Sequence, residues 1–204
     1  MTESVAYQRD HELRRRVNRF LQTAFSLPAE DYYGRLSSES LIGLKSALSD
    51  INNALTMQLS FGFLRWAEER LPIDATAIAT IREALLRSKP GANGYDLVCL
   101  NPVAFVAEVK CNIPINGGSK YGSAQKNGIL KDVAALKGGK QKAAQTAAGT
   151  LKFMVFLDLP QVRAANAHLL SSSAGLSGDL RFVRDDEAPD DPTIVYGVYA
   201  NLES

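Results

Sequence analysis

The stretch GYDLVCLNPVAFVAEVKCN, residues 94–112, constrains the fold more than any other part of the chain. Two apolar, β-branched runs, LVCL and VAFVAEV, flank Asn101-Pro102, which is a turn signal, and together they predict a β-hairpin. That hairpin carries Asp96, Glu108 and Lys110. Charges inside a sheet cost free energy unless something pairs with them. Side chains alternate along a strand, so Glu108 and Lys110 share one face while Ala107, Val109 and Cys111 point to the other. With the turn centred near Asn101-Pro102, Asp96 falls within a residue or two of Glu108, across a strand spacing of roughly 4.8 Å.

Two carboxylates at one place repel, and one is driven to take up a proton. A divalent cation removes the conflict. Mg²⁺ accepts one or two carboxylates at about 2.1 Å and keeps its other positions for water and substrate phosphate. Lys110, on the same face, is then placed to hold or deprotonate an attacking water, or to stabilise charge building on phosphorus.

Around the hairpin the apolar period is helical. Leu13, Val17, Phe20, Leu21 and Ala24 predict an amphipathic helix from Arg9 to about Ser26, with Arg14, Arg15, Arg16 and Arg19 on its outer face. Further helices are expected over Ser38–Leu48, Asp50–Arg70 (Leu55, Leu59, Phe63 and Trp66 on one stripe, ended by Pro72) and Thr76–Arg87. After the hairpin come a Gly/Asn-rich loop, IPINGGSKYGS, a helix over about Ala124–Leu136, and LKFMVFLDL, the strongest strand in the chain. VRAANAHLL predicts a short helix, SSSAGLSG a loop, and LRFV and TIVYGVYA two last strands. The expected fold is therefore α/β, a central mixed sheet flanked by helices and preceded by an N-terminal helical region. One domain over 1–204 is expected: a helical extension to about residue 50, a core over 51–159, and a C-terminal helix and strands completing the sheet over 160–204.

Composition excludes several classes. The 204 residues are 46% hydrophobic and 22% charged, ordinary for a globular chain. No apolar run approaches the roughly 20 residues of a membrane span, and MTESVAYQRDHELRRR lacks the apolar core of a signal peptide, so no membrane partner and a cytoplasmic, reducing location are expected. Cys99 and Cys111 are read as packing residues, and two Cys with two His supply no zinc set. The net charge of +1 conceals a basic block: between Lys110 and Lys152 lie Lys120, Lys126, Lys131, Lys137, Lys140 and Lys142 against Asp132 alone. Such a block suits a polyanion.

Asp96 followed by Glu108-Val109-Lys110 resembles the D...(D/E)-x-K signature of the PD-(D/E)xK nuclease superfamily, the restriction endonuclease-like fold. The order helix, strand, strand, helix, strand around it, over roughly Ile51 to Leu159, is similar to that core. Tyr95 stands where the family usually has proline. The resemblance implies a Mg²⁺-dependent DNA endonuclease, with Mn²⁺ able to substitute, of type II restriction kind and leaving a 5′-phosphate. Asp96 and Glu108 would bind metal and Lys110 assist the water. Family members often add an acid from the preceding helix, for which Glu68 and Glu69 are candidates, Glu69 being the one assigned here. They also add a polar or basic group from the following loop or helix, for which Gln125 and Lys126 are candidates.

Double-stranded DNA would then be held by Lys120, Lys126 and Lys131 on phosphates and by Tyr121 and Gln125. Asn112, Asn116 and Ser119 could read bases in the major groove. Cutting both strands of a palindrome needs two active sites, which implies a homodimer, with the N-terminal helices as its surface or as arms around DNA. The rival reading is a nuclease-fold protein that no longer cuts and serves as a nucleic-acid-binding or scaffolding subunit.

Overall fold

The structure, a computed structural model, describes residues 8–88, 94–115, 118–140, 149–184 and 187–203. It divides into two compact units, one ending at Ile51 and one beginning at Asn52. The first holds helix α1 (Arg9–Ala24), a 3₁₀ turn (Tyr33–Arg35) and the start of α2 (Ser38–Arg70). Within it Asn18 ties α1 to the following loop, donating from Nδ2 to Asp31 Oδ1 at 2.8 Å and accepting the Tyr33 N–H at 2.7 Å.

Helix α2 is one 33-residue element where the sequence suggested two. Ser49-Asp50 looks like an N-cap, but no proline interrupts the run. Leu, Ala, Met and Gln around it are good helix formers, so nothing forces a break. The SSSAGLSG segment also departs from expectation, since it ends one helix and starts another.

The second unit is α/β, with a five-stranded mixed sheet flanked by helices. Helix α3 (Ala75–Arg87) is capped by Asp74, which accepts the Ala77 N–H at 2.8 Å. Strands β1 (Leu97–Cys99) and β2 (Phe105–Lys110) pair antiparallel across a cis Asn101-Pro102 bond. Helix α4 (Ser123–Gly138) leads to β3 (Leu151–Leu157), and α5 (Pro160–Ser172) and α6 (Leu176–Asp179) lead to β4 (Leu180–Phe182) and β5 (Val195–Ala200). The strand order is β1-β2-β3-β5-β4, and every neighbour pair except β1/β2 is parallel.

Strand alternation sorts the sheet into two faces. On one, Phe105 and Phe153 meet the C-terminal half of α2, with Phe63 centred 5.7 and 5.2 Å from them. Phe63 is fully buried, which stabilises the fold by roughly 2–3 kcal/mol. Gly62 beside it admits the backbone of Asn201, whose carbonyl oxygen would collide with any Cβ there. The opposite face carries Val106, Glu108 and Lys110 of β2 and Met154 and Phe156 of β3, in register. Helix α4 covers part of this second face through Ile129, Val133 and Leu136, all buried.

Candidate active site

The antiparallel register settles where the charges meet. Leu97 pairs with Ala107, so continuing the ladder by one position sets Asp96 across from Glu108 on the α4 side of the sheet. The backbone N–H of Val109 donates to Asp96 Oδ2 at 2.7 Å and anchors the aspartate to β2. Asp96 is exposed, whereas Glu108 is 4% exposed in the second strand of the sheet. Burial raises the Glu108 pKa most. Lys140 opposes that, the Asp96 charge adds to it, and Lys110 opposes it weakly; the balance lies at about 7.

Two cations answer these acids. Lys140 Nζ lies 2.5 Å from Glu108 Oε1, yet the oxygen has no donor at hydrogen-bonding angle, so the contact is one of charge. Lys110 Nζ lies 2.5 Å from Oδ2 of Asp132 on α4, with both side chains about four-fifths buried. Asp132 and Lys140 were not among the residues assigned from sequence. Asp132 is the single acid of the basic block, and Lys140 follows Gly138-Gly139 at the end of α4. Those two features were the available signals.

Other assigned residues stand apart from the pair. Glu68 and Glu69 are exposed on α2, and Glu69 faces Arg65 at 3.7 Å. Among the described residues no group of three or more His, Cys, Asp or Glu could hold a metal ion, so Glu69 is not brought to Asp96 and Glu108. Tyr121, assigned to nucleic acid, is half-buried, and its hydroxyl donates to Asn166 Oδ1 at 3.0 Å while burial pushes its pKa up. Gln125 is also occupied: its Oε1 accepts the Gly122 N–H at 3.1 Å and its Nε2 donates to the Ile113 carbonyl at 2.9 Å, closing the loop onto α4.

The basic block divides by partner. Lys137 pairs with Asp179, and Lys152 is buried against the carbonyls of Thr150 and Pro192, where desolvation lowers its pKa. Lys120 and Lys131 are exposed and Lys126 half-buried, and none forms an ion pair among the described residues. Asn116 and Lys142 lie outside those residues. In the first unit, His11, Arg14, Arg15, Asn18, Arg19 and Gln22 line a shallow depression of about 440 Å³. Its arginines are largely engaged: Arg14 with Asp10 and Asp31, Arg15 with Glu12.

A metal held at Asp96 and Glu108 would have two carboxylate ligands from the protein. A pair of carboxylates, one exposed and one with an oxygen lacking an aligned donor, suits Mg²⁺ or Mn²⁺, which complete their coordination with water. It does not suit an all-protein cage of the zinc type. Cys99 and Cys111 are free thiols, and no helix among the described residues is long and apolar enough to cross a membrane.

Comparison with known proteins assigns no family: no family model matches the chain, and neither a curated protein nor a solved structure matches it.

Proposed function

We propose that the chain is a Mg²⁺-dependent DNA endonuclease with a restriction endonuclease-like core, acting on double-stranded DNA as a homodimer of type II restriction kind. The observation that carries this reading is the juxtaposition of Asp96 and Glu108 across the β1–β2 ladder, with Lys110 two positions on along the same face. Holding a carboxylate at 4% exposure beside another is costly, and a phosphoryl-transfer site is a chemical reason for doing so.

Asp96 and Glu108 would hold the metal, which supplies Lewis-acid stabilisation of phosphate oxygens and a more acidic water. Lys110 Nζ is held 2.5 Å from Asp132 Oδ2. Its role is to donate a hydrogen bond to the attacking water or to a non-bridging phosphate oxygen. Water adds to phosphorus, the bond to the 3′-oxygen breaks, that oxygen takes up a proton, and a 5′-phosphate remains. Lys120, Lys126 and Lys131 would contact the DNA backbone.

A second reading has one observation in its favour. Glu108 and Lys110 already have protein partners of opposite charge, as a silent scaffold of the same fold would need. The test is to incubate the protein with Mg²⁺ and mixed plasmid DNA, alongside Asp96→Asn. Discrete bands or a smear from the native chain only is the expected result. Intact plasmid, together with calorimetry that detects no Mn²⁺, would establish the scaffold.

A further inference from the structure

Among the described residues, Lys140 makes more contacts around the carboxylate pair than any other cation. Its Nζ lies 2.5 Å from Glu108 Oε1 and 2.5 Å from the carbonyl oxygen of Gly94, and 5.1 Å from the centre of the Tyr95 ring. Its backbone N–H donates to the Tyr95 hydroxyl at 3.2 Å. Gly94, Tyr95 and Asp96 are the approach to β1, so Lys140 binds the segment that presents one carboxylate and the side chain of the other. A carboxylate oxygen and a backbone carbonyl oxygen around one positive centre are also ligands a hard divalent ion accepts.

We propose that Lys140 is the resident counter-ion of the Asp96–Glu108 pair and that a divalent cation binds by displacing its ammonium group. This rests on the reading of the two carboxylates as a metal pair. Three features make the exchange feasible. The contact to Oε1 lacks hydrogen-bond alignment, so less is lost when it parts. The Lys140 side chain is 26% exposed, on a flexible stem that can carry the ammonium to water. Its backbone N–H donates to the Tyr95 hydroxyl at 3.2 Å, an anchor that does not involve the ammonium group. Together they describe a site kept neutral enough to fold without metal and made to discriminate by charge: a monovalent ion gains nothing over the ammonium already there, and a divalent ion does.

The experiment has two readouts that do not depend on cleavage. Calorimetric titration with Mn²⁺ at about pH 8 compares the native chain with Lys140→Ala, and Glu108→Gln is the control for the site. Removing the competitor is expected to tighten Mn²⁺ binding at least tenfold, roughly. In parallel, amine acetylation of the native protein followed by mass spectrometry is expected to label Lys140 faster when Mn²⁺ is added. This measurement stands even if the alanine variant does not fold. Equal or weaker affinity in Lys140→Ala with unchanged labelling makes Lys140 a structural brace, overturning the proposal and leaving the metal pair intact. No Mn²⁺ binding by either chain removes the metal pair itself, and the proposal with it.

Discussion

Oδ2 of Asp96 accepts the backbone N–H of Val109 at 2.7 Å, so the first acid is held by the strand that carries the second. One oxygen is committed to the ladder, and the other accepts no hydrogen bond from the described residues. Asp96→Asn can keep the backbone bond through its amide oxygen while losing the charge. It is expected to lose Mn²⁺ binding and cleavage, yet to melt no lower than the native chain without metal, because repulsion with Glu108 is relieved. A lower melting temperature with cleavage retained would make Asp96 structural.

Glu108 should make stability fall with rising pH. Its pKa is about 7 in the folded chain against an ordinary 4.5, so between those values the native state holds a proton that the unfolded state has released. Stability therefore declines across that window by up to about 3 kcal/mol, the loss being complete above pH 7. Denaturant titrations at intervals across the window should show the slope in the native chain and its absence in Glu108→Gln.

Lys110→Ala should abolish cleavage while leaving DNA affinity within about twofold, since the lysine is assigned to the chemical step and backbone contacts to other lysines. It also strips Asp132 of its partner, so some loss of stability is expected. Near-native turnover in this variant would take the E-x-K motif out of the mechanism.

Lys120, Lys126 and Lys131 should carry the salt dependence of DNA binding. Each substitution by alanine is expected to weaken binding to all sequences and to reduce the slope of log affinity against log salt by about one unit. Arg14 and Arg16 should contribute less, because Arg14 is paired with Asp10 and Asp31 and Arg16 with Glu12. A slope carried by these arginines instead would move the DNA to the depression on α1.

The hairpin and the shared face of Glu108 and Lys110 were legible because strand alternation has a fixed period of two, and Asn101-Pro102 marks the turn. The partners of those charges were not legible. Asp132 and Lys140 reach the pair only when α4 lies over the sheet, and no local period links residue 140 to residue 108. Tyr121 and Gln125 show the converse: polar residues in a Gly-rich loop look available for a ligand, but packing commits them to Asn166, Gly122 and Ile113. The continuous α2 was missed because a serine-aspartate pair carries the chemistry of a cap whether or not the helix starts there.

The single antiparallel junction in the sheet also predicts an order of assembly. β1 and β2 are joined by a short turn, whereas each parallel pairing must wait for a longer crossover to close, and distant contacts form slowly. On that order Asp96 and Glu108 become neighbours early, and Lys140 arrives with the end of α4. The folding chain is therefore expected to pass through a stage in which the two acids are together and their cation is not. Protonating one of them lowers that barrier, so stopped-flow refolding is expected to run faster at about pH 5 than at about pH 8, with Glu108→Gln levelling the two rates. Rates indifferent to both changes would place hairpin formation after the rest of the sheet.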